Sequence, residues 1–164
     1  MMKYYKNSQN QIYAYDDDVS EDQIKEGLTK ITEAQAKSML EPSLEELKAA
    51  KTAKLAAWVN AMGENCKVEI KDFGVINGGY RYLLNVEAMI DTFDSLEIRA
   101  FRMYDNTMKK ISGQEELKKI KRAIQIAGQK LHVLKWGYEL KIEKAKSKKE
   151  LDAIVFADTI EVAL

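Results

Sequence analysis

An α+β fold is predicted for this chain, running from an N-terminal β-hairpin through a helix and a second β-hairpin to a long amphipathic C-terminal helix. Three observations carry that expectation. Tyrosines alternate with polar residues in the first fifteen positions, two further alternating stretches flank Gly78-Gly79, and apolar residues between Leu117 and Ile142 recur at steps of three and four.

The opening reads Lys3-Tyr4-Tyr5-Lys6, a polar centre Asn7-Ser8-Gln9-Asn10, and then Gln11-Ile12-Tyr13-Ala14-Tyr15. Aromatic residues favour the half-buried pleated surface of a strand, and the polar centre suits a turn, so a hairpin is expected. Asp16-Asp17-Asp18 closes it. Ser20 with Gln23, and Thr32 with Gln35, have the spacing at which a hydroxyl and an amide satisfy each other's orphan backbone N–H groups, so short helical turns should follow each. Pro42 ends this region.

Ser43 with Glu46 is the clearest helix start in the chain. Leu44, Leu47, Ala50, Leu55, Trp58, Val59 and Met62 line one face, and the helix should end at about Met62, ahead of Gly63. Val68, Ile70 and Phe73, then Tyr80, Tyr82 and Leu84, predict a second hairpin that turns at Gly78-Gly79. Asn85 to Phe93 returns to helical spacing and predicts a short helix.

From Phe101 to Ile154 a long amphipathic helical module is expected. Ser112 with Glu115 caps it, and Leu117, Ile120, Ile124, Ala127, Leu131, Leu134, Tyr138 and Ile142 form a stripe of nearly heptad period. Gly113 to Ala145 would reach about 50 Å as one helix, against about 40 Å for the diameter of a compact chain of this length. The helix should therefore bend at Gly128 or Gly137, or overhang and need a partner. Leu131, Leu134, Trp136, Tyr138 and Ile142 are the candidate interface, with a second copy or another protein as occupant. Ser147 with Glu150 caps a last short helix, and the nine residues after Val155 are apolar and β-tolerant. The expected division is 1–42, hairpin and short helices; 43–155, the α+β domain; and 156–164, a tail.

Composition bounds the function. Forty-six per cent of the 164 residues are hydrophobic, enough for a core, and 26 basic residues balance 26 acidic ones, so no overall field favours nucleic acid or an anionic membrane. The charge is graded, from −4 over residues 1–50 to −1 over 51–100 and +5 over 101–164. One cysteine excludes an internal disulfide and fits a reducing compartment. The start lacks an apolar signal core and no run is long enough to span a bilayer, so no membrane role is expected.

Reactive-looking motifs dissolve on inspection. Asp16-Asp17-Asp18 lacks the glycine and the late glutamate of a calcium loop. Asp72-Phe73-Gly74 lacks the other kinase elements and reads as a strand end, and Gly78-Gly79 lacks the continuation of a phosphate cradle. His132, the single histidine, would need carboxylates alone to complete a metal site. Cys66 and His132 form no recognisable nucleophile motif, although a small enzyme or regulator built on them is the outlying alternative. Lys118, Lys119, Lys121, Arg122, Lys130, Lys135, Lys144, Lys146, Lys148 and Lys149 are diluted by Glu115, Glu116, Glu139 and Glu143, which suits a solvated face better than a nucleic-acid track. No catalytic residue, cofactor or metal is expected.

Phe101-Arg102-Met103-Tyr104-Asp105-Asn106, with Ser112, the helix through Leu131 to Trp136, and Ala145…Glu150-Leu151…Ile154, resembles an uncharacterised domain family encoded by tailed phages and prophages near tail-fibre operons. The helix with Leu47, Ala50 and Trp58, and Tyr80-Arg81-Tyr82 with Asn85-Val86, is similar to that family's first half, so the resemblance covers residues 44–155. Lys146 or Ser147 stands where a threonine is commoner, and Leu83-Leu84 replaces an acidic-Gln pair before Asn85. Lys3-Tyr4-Tyr5-Lys6 with Tyr13-Ala14-Tyr15 is similar to the opening of phage tail-fibre assembly proteins. The resemblance implies a non-enzymatic chaperone or cap for a fibre protein in the host bacterial cytoplasm, or else a structural component of the virion tail. Arg102, Asp105 and Asn106 are expected to form a structural lock at a turn before the long helix.

Overall fold

The computed structural model describes residues 2–164, and the chain is α+β as predicted. It divides into two compact units, with the boundary between Glu46 and Leu47.

In the first unit, β1 (Met2–Lys6) pairs antiparallel with β2 (Ile12–Asp16) and, on its other side, with β3 (Thr29–Ile31). The polar centre makes the turn: the Asn7 carboxamide oxygen accepts from the N–H groups of Gln9 and Gln11, and Asn10 takes positive φ. One 3-10 turn follows Ser20, and α1 (Glu33–Leu40) starts at the reciprocal Thr32–Gln35 cap. Among the described residues of this unit, Tyr5 of β1 and Ala36 of α1 are buried.

α2 (Leu44–Glu64) starts in the last three residues of the first unit; from Leu47 it belongs to the second, where it leads to β4 (Cys66–Ile70) and β5 (Gly74–Gly78), an antiparallel hairpin. That hairpin turns six residues earlier than the sequence suggests, at Asp72, which has positive φ. Tyr80, Tyr82 and Leu84 are not strand: they open α3 (Tyr80–Asp91). Gly78-Gly79 is a strand-to-helix junction. A short period-2 run is also consistent with helical i, i+4 neighbours, and here Tyr80 and Leu84 share the exposed side while Tyr82, Leu83 and Val86 turn toward the core.

The stretch from Phe101 to Ile111 is likewise not helical. It holds a hairpin, β6 (Ala100–Arg102) and β7 (Met108–Lys110). The Tyr104 N–H donates to the Val75 carbonyl at 3.0 Å, and the Lys109 ammonium donates to the Phe73 carbonyl at 2.8 Å while lying over its ring, so this hairpin is tied to the free edge of β5.

The long helix, α4, runs unbroken from Gln114 to Lys144, about 46 Å at the usual rise. It passes both Gly128 and Gly137 without interruption. Its start differs in detail from the expectation, because the Ser112 N–H and hydroxyl donate to Glu116, not Glu115, at 2.6 and 2.8 Å. These two bonds, the backbone one first, hold the Glu116 carboxyl below its ordinary value of 4.5. A depressed folded-state value contributes stability that is complete above about pH 4.5 and is lost as pH falls through the lower value. Glu116→Gln is therefore expected to flatten the acid limb of a stability-against-pH curve, measured by denaturant unfolding at a series of pH values.

After α5 (Lys148–Asp152) the apolar tail becomes β8 (Thr159–Val162), paired parallel to β4, so the sheet order is β5-β4-β8. Residues 156–164 are thus integral to this unit. Cys66, Val68, Ile70, Ile76, Ile160 and Val162 face α3 and α4 from the sheet, and Val86, Leu117, Ile120, Ile124 and Ala127 face back.

Candidate functional site

The inward side of α4 is completed by its own chain. Its first half covers the sheet. Its second half lies against α2 and the C-terminal segment, where Trp58, Tyr138 and Phe156 form a ring cluster with centroids 5.1–5.5 Å apart. The Trp58 indole N–H donates to the Ala157 carbonyl at 2.8 Å, and the Ala157 N–H donates to the Tyr138 hydroxyl at 2.9 Å. Those bonds satisfy the buried polar ends of two aromatic residues and thread the chain toward β8. Consequently Leu131, Tyr138 and Ile142 are buried, and Leu134 is half-buried. The part of this stripe that argued for a partner is covered by α2 and the tail.

Trp136 is different. It is 61% exposed, and so are Val133 at 61% and Leu140 at 48%. At about 100° per residue these three fall within an arc of about 60°, lying about 140–180° from the buried line through Leu131 and Tyr138. The C-terminal half of α4 is therefore apolar on two nearly opposite faces, only one of which the chain covers. His132 stacks loosely on Trp136, with ring centroids 6.4 Å apart. Val155, 78% exposed, extends the apolar surface where α5 ends.

Two shallow clefts adjoin this stripe. One, of about 620 Å³, is lined by Leu140, Lys141, Lys144, Ala153, Ile154 and Val155 among others. The second, of about 350 Å³, includes Lys130, Val133, Leu134 and Thr159.

A third recess, of about 560 Å³, brings Cys66 and His132 to one groove along with Met62, Tyr80, Leu83 and Leu131. The two side chains share no hydrogen bond among the described residues. Cys66 is only 5% exposed and burial pushes its thiol above the ordinary value, the opposite of what a nucleophile needs. Iodoacetamide is expected to modify Cys66 in the folded protein at least about tenfold more slowly than in denaturant, because alkylation must await opening; intact-mass spectrometry measures both rates.

Arg102, Asp105 and Asn106 fall at the β6–β7 hairpin. The Asp105 carboxylate accepts from the Thr107 N–H at 3.0 Å and from its hydroxyl at 2.7 Å, and Asn106 has φ of 69°. Arg102 is exposed and forms no ion pair among the described residues, so the turn is held by Asp105 and Asn106 with Thr107, eight residues before α4 begins. Asp16 ends β2, and Asp17 and Asp18 form the exposed turn after it. No cluster of three potential metal ligands occurs among the described residues, and none of their helices is long and apolar enough to cross a membrane.

Val133, Leu140 and Val155 lie outside the interface expected from the sequence. Their signal was present, since Val133, Trp136 and Leu140 repeat the same three-four step as the core stripe, offset around the helix. Comparison of the chain with protein families, characterised proteins and solved structures finds no match.

Proposed function

We propose that this chain is a non-enzymatic protein-docking module that works through the outer face of α4. The observation that carries the reading is the exposed stripe Val133-Trp136-Leu140, with Val155 beside it, on a helix whose opposite face is already buried. An apolar stripe left on a rigid helix is the form in which interfaces present their anchors, and tryptophan is prominent among such anchors. The burial of Cys66, which pushes its thiol above the ordinary value, supports a role without covalent chemistry.

Taken with the family resemblance, the role is that of a phage or prophage tail-fibre assembly protein. It caps apolar surface on a fibre protein in the host bacterial cytoplasm until the fibre trimerises. Co-expression with the neighbouring fibre gene tests this reading. The yield of trimeric fibre should fall when the chain is omitted, and the chain should be missing from purified particles by mass spectrometry. Fibre that trimerises equally well alone would refute the assembly role, and stoichiometric retention in the particle would make the chain a tail component instead.

A further inference from the structure

The charges around the exposed stripe are sorted by side. Measured around the helix axis from Val133, Lys144, Lys130 and Lys141 fall at about 20°, 60° and 80° on one side, while Glu143, His132 and Glu139 fall at about 80°, 100° and 120° on the other. The lysine side is the one that carries both clefts, where Lys130, Lys141 and Lys144 rim apolar floors that include Val133, Leu134, Leu140, Ile154 and Val155; Glu161 also lines the smaller cleft, and the Lys130 ammonium donates to its backbone carbonyl at 2.8 Å. On the glutamate side Glu139 is already engaged by Lys135 at 3.4 Å. In the large cleft Glu150 is engaged as well, its carboxylate accepting the Lys146 N–H at 2.8 Å. From Lys130 to Glu161, the stretch that lines both clefts, the sequence holds seven lysines and six acidic residues, a net charge of +1, so the selection comes from where the lysines sit and not from their excess.

On the reading that the outer face of α4 docks protein, we infer that its occupant is an acidic amphipathic helix of another protein, laid along α4 with apolar anchors on Val133, Trp136, Leu140 and Val155 and its carboxylates toward Lys130, Lys141 and Lys144. The length of the apolar stripe fits two turns of such a helix, which would present anchors at i, i+3 or i+4, and i+7. Lysines suit this task because their long stems can lie along the apolar cleft wall while their ammonium groups reach the rim. Charge sorting then sets the direction of approach and rejects a basic partner, whereas the apolar contacts supply most of the affinity.

The intact protein is titrated by fluorescence anisotropy against three labelled helical peptides with the same leucine spacing, flanked by glutamate, by glutamine or by lysine. The glutamate peptide should bind about tenfold more tightly than the glutamine peptide and the lysine peptide most weakly, with the differences shrinking as salt rises. Lys141→Glu combined with Lys144→Glu should reverse that order, and Trp136→Ser should weaken all three peptides. Equal affinity for the three peptides would overturn the charge selection and leave the docking face standing. Failure of the glutamate peptide to bind at all would overturn this inference; the docking reading itself would fall only if fibre assembly were also indifferent to Trp136→Ser. A solution mass of twice the chain's, returned to the monomer by Trp136→Ser, would identify a second copy as the occupant and would equally overturn the inference.

Discussion

Gly79→Ala is expected to be among the most damaging single substitutions in the chain. Gly79 sits between β5 and α3 with φ of 101°, a conformation that an L side chain rarely adopts. A Cβ there would fall onto the Glu64 carbonyl and come within 2.8 Å of the Gly63 carbonyl oxygen. Both obstacles are backbone at the end of α2, so neither can swing aside as a flexible side chain would. Strain at positive φ and overpacking against a fixed neighbour each cost about 1–3 kcal/mol, and the sum here should be about 3 kcal/mol or more. A fall in the denaturant midpoint at unchanged slope would measure it. A loss below about 0.5 kcal/mol would mean that α2 and α3 do not meet this closely.

The second large effect is expected at Ile120, which has no exposed surface and lies at the centre of the core shared by the sheet, α3 and α4. Ile120→Ala removes buried methyl and methylene groups and leaves a cavity that close-packed neighbours can only partly fill, a cost of about 2–5 kcal/mol. Trp136→Ser is the informative contrast on the same helix. With 61% of its surface in solvent, Trp136 has little burial to lose, and the change in stability should stay within about 0.5 kcal/mol. Equilibrium unfolding of the two variants side by side separates the face that folds the chain from the face left over.

Local signals with strong chemistry were legible in the sequence. The Thr32–Gln35 and Ser43–Glu46 caps form as read, because each needs only two side chains and one turn of backbone. The N-terminal hairpin and the buried line of α4 were also legible, since five-residue strands and a thirty-one-residue helix give their periods room to register. The three-residue strands β3, β6 and β7 do not, and their existence depends on partners distant in sequence. Thr159–Val162 becomes strand because β4 offers a free edge and because Trp58 and Tyr138 hold Ala157 in place, contacts that no local pattern announces. The candidate surface was half legible: the stripe's candidate interface contains Trp136, but together with Leu131, Leu134, Tyr138 and Ile142. Which side of α4 faces inward is decided by where α2 and the tail lie. Once that is known, the same residues separate into a core line and an exposed one.

The claim that the exposed line exists for a partner is tested most directly by a triple variant, Val133→Ser with Trp136→Ser and Leu140→Ser, examined for unfolding and for fibre assembly in parallel. The expected result is a denaturant midpoint close to that of the parent chain together with fibre trimer yield reduced to the level seen without the protein. A variant that folds as the parent does and still supports full trimer yield would contradict it.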